Sequence, residues 1–149
     1  MIHMPQVEPL PSLADLYLAD ETAWLEQMSA AALLGDVAAL DLEHLSEYLT
    51  DMARRDRREV TNRLIILLAH LLKWERQPDR RTRSWELTIR EQREELQELL
   101  ESGTLHNHAE QELPKAFEKA VRRVAVETEL PESAFPVECP FPLDSMLAE

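Results

Sequence analysis

Apolar residues recur along this chain at intervals of three and four, the spacing that lines one face of an α-helix. Tyr17, Trp24, Met28 and Ala31 make the first such row. It lies between Ser12, whose side chain suits an N-cap, and Gly35, a natural C′ residue, and predicts one helix from about residue 12 to 34. Leu42, Leu45, Leu49 and Met52 predict a second helix starting near Asp41. A third is predicted from about Asp56 to Gln77. Its seam of Val60, Leu64, Leu67, Leu71 and Trp74 is widened by Ile65, Leu68 and Leu72 to most of the circumference. A helix apolar nearly all round packs against neighbours on several sides. Pro78 stops it, lacking the amide the ladder needs and disfavouring α geometry in the residue before it.

The fourth predicted helix runs from about Thr82 to Ser102, with Trp85, Ile89, Leu96 and Leu99 inward and Gly103 as its stop. The fifth covers roughly Ala109 to Glu129, with Phe117, Ala120, Val121, Val124 and Thr128 inward. Pro114 either kinks that helix or marks where its regular part starts. Residues 131–149 hold Pro131, Pro136, Pro140 and Pro142. They predict an extended strap held down by Phe135 and Phe141, with one turn of helix at Asp144 to Leu147. Residues 1–11 read as a flexible N-terminal arm. The expectation is an all-α chain, a single domain over 1–149: one compact bundle of about five helices with a proline-rich C-terminal strap.

Composition supports this. Apolar residues make up 44% of the 149, with only 2 glycines, too few for the turns of a sheet-rich fold. Cys139 is the single cysteine, which excludes an intrachain disulfide and a cysteine zinc site and fits a reducing compartment. The opening "MIHMPQVEPLP" lacks the basic region and apolar core of a signal peptide. "LIILLAHLL" spans only nine residues, whereas a membrane helix needs about 20. A soluble, cytoplasmic protein is expected.

Charge adds the first functional constraint. A net −13 argues against general affinity for nucleic acid or an anionic membrane, both polyanions. The charge is unevenly spread, however. Residues 54–93 carry twelve of the sixteen Lys and Arg against six acids, a local +6, while the remainder, four basic and twenty-three acidic, carries −19. If Pro78 marks a tight turn, the third and fourth helices form an antiparallel hairpin. Arg54, Arg55, Arg57 and Arg58 would then lie beside Glu94, Glu95, Glu98 and Glu101, which predicts internal pairing for the "ARRDRRE" run.

The hairpin's turn is different. "LLKWERQPDRRTRSW" packs Lys73, Trp74, Arg76, Arg80, Arg81, Arg83 and Trp85 together with only Glu75, Asp79 and Glu86 close in sequence. Arg81 and Arg83 fall at a helix start, where the dipole disfavours cations by about 0.3–1 kcal/mol. Something non-local therefore uses them. Either carboxylates from the acidic remainder fold over this corner, or it meets an external anion, an acidic protein or a phosphate-bearing ligand. Trp74 and Trp85 serve both readings, as core anchors or as stacking surfaces. Self-association is left open.

Other chemistry is thin. Asp41, His44 and Glu47 crowd one helix start and are the weak candidates for a metal, but Asp41 is equally explained as an N-cap. The Glu-x-x-His pairs of di-metal bundles are missing from the sequence. His70 sits inside the most apolar helix, where a hydrogen-bonded core histidine is expected. His106 and His108, in "LHNHAE", read as surface histidines of a loop. With no glycine-rich phosphate loop and no nucleophile elbow, the balance leans away from an enzyme, and no cofactor is implied.

The ordered stretches "DLEHLSEYLTDM", "RLIILLAHLLKWERQPDRRTRSWELTIREQREEL" and "LPESAFPVECPFPLDSML" resemble a bacterial domain-of-unknown-function family, number 29, over roughly residues 13–148. The most specific part is the series His70, Lys73, Trp74, Pro78, Arg81, Ser84 and Trp85, followed by Phe135-Pro136 and Cys139-Pro140. The resemblance implies a small helical fold and carries no activity with it. His44 stands where the family typically has asparagine, and Pro114 interrupts a helix that is usually regular. The functional expectation is a non-enzymatic interaction module acting through the Arg/Trp corner. The alternatives are a phosphate-bearing ligand or RNA at that corner, and then a metal-dependent enzyme.

Overall fold

Side-chain caps set the helix boundaries. The computed structural model describes residues 2–6 and 12–148, so most of the expected N-terminal arm (7–11 and residue 1) lies outside the described residues. All regular structure among the described residues is helical: α1 (Leu13–Ala19), α2 (Glu21–Leu34), α3 (Leu42–Arg76), α4 (Arg83–Leu99), α5 (Gly103–Thr128) and α6 (Leu143–Leu147), with short 3-10 turns between some of them. The all-α expectation holds, and the fold is of the helical-bundle class. The chain divides into two units, Met1–Ala53 and Arg54–Glu149.

In the first unit Ser12 Oγ accepts the Asp15 amide at 3.1 Å and starts α1. The helix expected to continue to residue 34 is interrupted at Asp20. Its backbone leaves helical geometry, and its carboxylate accepts the Ala23 amide at 3.1 Å. Asp20 thus closes α1 and caps α2, since an acceptor side chain there replaces the helix's own carbonyls. Gly35 ends α2 in the left-handed region (φ 68°). Its amide bonds to the Ala32 carbonyl and the Asp36 amide to the Ala31 carbonyl, the paired bonds of a glycine-terminated helix. Trp24, Met28 and Ala31 are buried, and Tyr17 meets Trp24 edge-on at 4.8 Å between centroids.

The expected second and third helices are one. α3 runs unbroken for 35 residues, about 52 Å of rise. The expected boundary near Asp56 rested on a gap in apolar periodicity, but "ARRDRRE" holds no glycine or proline and mostly strong helix formers. The charged run interrupts the hydrophobic stripe without breaking the backbone.

In the second unit Val60, Leu64, Leu67, Leu68 and Leu72 of α3 are buried with Ile89 and Leu96 of α4 and with Phe117, Ala120 and Val124 of α5. Fully burying each large apolar side chain contributes about 1.5–3 kcal/mol. Thr82 Oγ1 caps α4 by accepting the Trp85 amide at 3.1 Å. α4 ends at Leu99, earlier than expected. Ser102 Oγ then accepts the Leu105 amide at 3.3 Å, so α5 starts at Gly103 rather than Ala109. Gly103 is therefore the first residue of a helix and not the terminator of the previous one. α5 continues through the exposed Pro114. Beyond it the chain runs by a 3-10 turn at Glu132–Ala134 to the buried Phe135, the half-buried Phe141 and α6. α6 buries Leu143, Met146 and Leu147. Its last carbonyls are met by α4: Arg93 Nε donates to Met146 O at 2.7 Å, and Gln97 Nε2 donates to Leu147 O.

Candidate functional site

The turn between α3 and α4 gathers the seven candidate residues but uses them differently. Gln77 closes α3 through its amide bond to the Lys73 carbonyl at 2.9 Å, and Pro78–Arg80 form a 3-10 turn. Lys73 points inward and is only 8% exposed. Its ammonium meets Glu127 of α5 at 3.0 Å and lies 5.1 Å from the centroid of Trp85. For this cation the acidic remainder of the chain does supply the partner.

Arg81 is held in a different way. Its Nε donates to the Trp74 carbonyl at 2.9 Å, and its guanidinium carbon stands 4.6 Å from the Trp74 ring centroid. One donor is used and the group lies over the indole ring, so the remaining guanidinium donors are partly oriented. Arg83 pairs with Glu86 at 3.2 Å, both side chains well exposed, an arrangement worth about 0–1 kcal/mol. The exposed side chains of Arg76 and Arg80 make no hydrogen bond or ion pair among the described residues. Beside this corner runs an open groove of about 940 Å³. Leu71, Trp74, Ile89 and Phe141 give it an apolar lining, and Glu75, Glu86 and Glu94 with Arg90 and Arg93 contribute charge.

The other arginine run departs from expectation. The hairpin register itself is present: Arg63 of α3 donates to Gln92 of α4 at 3.2 Å and reaches Glu95 at 3.8 Å. Yet Arg55, Arg57 and Arg58 are exposed and make no ion pair with Glu94, Glu95, Glu98 or Glu101 among the described residues. The matching charges lie on faces that water screens, so geometry does not force them together.

Of the weak metal candidates, Asp41 and His44 are hydrogen-bonded to each other. Asp41 Oδ1 accepts the His44 amide at 3.4 Å, while Oδ2 accepts Trp24 Nε1 at 3.2 Å and lies 2.8 Å from His44 Nδ1. Desolvation alone would raise the Asp41 carboxyl, but hydrogen bonds from His44 and Trp24 outweigh it and hold the pKa below the ordinary value. Glu47 is exposed and does not gather with the other two as a ligand set. His70 Nδ1 donates to the Ile66 carbonyl at 2.8 Å, and burial lowers its pKa, which describes a half-buried, hydrogen-bonded imidazole rather than a fully buried core histidine. The Cys139 thiol is half-buried and pushed up by desolvation, so it is no activated nucleophile. His106 and His108 lie in a helix, not a loop, and part company. His108 Nε2 lies 3.0 Å from Thr61 Oγ1 and 3.2 Å from the Arg57 carbonyl, while His106 Nε2 lies 3.3 Å from Asp144 Oδ1.

Two partners were beyond sequence reasoning. Glu127 lies 54 residues from Lys73 and Asp144 lies 38 from His106, and neither acid stands out among the chain's 29.

The family model for a domain of unknown function, DUF29, matches residues 16–149. The chain belongs to the DUF29 family. No curated protein and no solved structure matches it. In this DUF29 chain no helix among the described residues is long and apolar enough to cross a membrane. The match spans the whole corner from Lys73 to Trp85 and all the residues that contact it.

Proposed function

We propose that this DUF29 chain is a non-enzymatic interaction module whose α3–α4 corner receives an acidic segment of a protein partner. The observation that carries the reading is the unspent cation at the corner. Among the described residues Arg76 and Arg80 have no carboxylate partner, and Arg81 is oriented by its bond to the Trp74 carbonyl and by the Trp74 ring rather than by an acid. Preorienting a guanidinium removes part of the side-chain entropy, up to about 2 kcal/mol, that binding would otherwise lose. The adjoining groove supplies apolar contact for a side chain next to the partner's carboxylates.

A protein partner suits the site better than RNA or a polyphosphate. Glu75, Asp79 and Glu86 lie among the arginines, and the whole chain carries −13. Those acids oppose a polyanion of high charge density more than a few carboxylates on a folded or extended peptide. The Arg55 to Arg58 run is exposed as well, but it lies on a plain helix surface with no aromatic platform.

The test is fluorescence anisotropy of one labelled probe, a Glu/Asp-rich peptide carrying one Phe or Leu, with two unlabelled competitors, inorganic pyrophosphate and a single-stranded RNA. The expected result is peptide binding that weakens with salt and is displaced poorly by pyrophosphate and RNA. Tighter binding of RNA or pyrophosphate than of any acidic peptide would replace this reading with the phosphate one.

A further inference from the structure

α5 and α6 bring an imidazole and two carboxylates together. One ligand atom from each of His106, Glu110 and Asp144 lies within 4.8 Å of the other two. His106 and Glu110 are four apart on α5 and so share a face. Asp144 comes from the first turn of α6. His106 Nε2 already faces Asp144 Oδ1 at 3.3 Å. We propose that these three residues form a surface site for a borderline divalent transition metal, typified by zinc, that clips α6 onto α5.

Three features support the site. The first is the donor set: one imidazole nitrogen with two carboxylates suits zinc-like ions, whereas calcium and magnesium favour all-oxygen shells. At metal–ligand distances of about 2.0–2.2 Å, donor atoms in such a shell stand about 3–3.6 Å apart. The glutamate and aspartate side chains are exposed and can close the remaining gap by rotating about their own torsions.

The second is charge. Among the described residues neither Glu110 nor Asp144 forms an ion pair with a lysine or arginine, and Asp144's contact is the His106 ring itself. Two carboxylates are thus left uncompensated beside a nitrogen that a metal would coordinate through its lone pair. The third is presentation. The bonds from Arg93 to Met146 O and from Gln97 to Leu147 O hold α6 independently of the site, so Asp144 projects from an anchored element. His108, two residues from His106, is turned to Thr61 and the Arg57 carbonyl and is not a member of the set.

The experiment titrates the full chain, purified free of metal, with zinc by calorimetry, and with cobalt by visible absorption. The wild type should take up one zinc per chain. His106→Gln and Asp144→Asn should each weaken uptake by about tenfold or more, while His108→Gln leaves it unchanged. Backbone amide exchange over 143–147 should slow with zinc in the wild type and not in Asp144→Asn. Asp144 is exposed and His106 and His108 are partly exposed, so far-UV circular dichroism should be unchanged in all variants. Absence of stoichiometric zinc uptake would overturn the proposal, as would uptake that survives both His106→Gln and Asp144→Asn or is lost with His108→Gln.

Discussion

Removing the carboxylate that meets Lys73 should cost more than removing the lysine itself. Lys73 is 8% exposed and its ammonium lies 3.0 Å from Glu127, whose side chain keeps 43% of its exposure. Breaking a fully buried pair from one side costs about 3–5 kcal/mol, and an exposed pair is worth about 0–1. With one partner buried and the other partly in water, Glu127→Ala should cost about 1.5–3 kcal/mol, because it leaves a cation inside without a counter-charge. Lys73→Met removes the ion pair and the contact with Trp85, but it fills the same space and leaves Glu127 with Arg123 at 3.7 Å and with water. Its cost should be about 1 kcal/mol or less. The double variant should then resemble Lys73→Met and rescue most of the Glu127→Ala loss. Urea unfolding followed by far-UV circular dichroism reads all four proteins. If Lys73→Met proves as damaging as Glu127→Ala and the two losses simply add, Lys73 is not a buried cation that depends on Glu127.

Two pH predictions follow from the histidine and aspartate environments. The folded-state pKa of Asp41 lies below the ordinary 3.8, so its contribution is complete above that value and is lost as pH falls through the folded value. Asp41→Asn should therefore flatten the acid limb of the stability curve below about pH 4, measured by urea unfolding across pH. His70 is a base whose folded pKa is lowered from 6.5, chiefly by burial. The unfolded chain takes up its proton first, so stability is full at neutral pH and declines as pH drops through 6.5 towards the folded value. His70→Gln should remove that part of the slope; an unchanged slope would refute the assignment.

How far the sequence could be read depended on whether a signal was local. The apolar seam from Val60 to Trp74, the stop at Pro78, the Ser12 cap and the Gly35 terminus all follow from residues within one or two turns, and all are present. Helix division was harder. Asp20 caps a helix inside an alanine- and leucine-rich stretch whose periodicity runs straight through it, so the break shows only in its non-helical backbone and its side-chain bond to Ala23. The reverse holds at Asp56, where a charged run interrupts the stripe but no backbone breaker is present. At the corner, the surplus of arginine was visible because the helix dipole opposes it. Which cation turns inward was not visible, because Lys73 depends on Glu127 from a helix 54 residues away, and Arg81 depends on a backbone carbonyl that any residue offers. The same distance hid Asp144 from His106.

The most direct test of the corner compares two triple variants that remove equal charge. Arg76→Ala/Arg80→Ala/Arg81→Ala strips the proposed contact surface, and Arg55→Ala/Arg57→Ala/Arg58→Ala strips exposed arginines elsewhere on α3. Binding of the acidic peptide probe is measured for wild type and both variants at low and at physiological salt, with folding checked by circular dichroism. The prediction is a loss of about tenfold or more in affinity, equal to about 1.4 kcal/mol, for the corner variant alone, together with a shallower salt dependence. Equal losses in both variants would contradict the account by reducing binding to overall charge, and no peptide binding at low salt would remove the corner as a partner site.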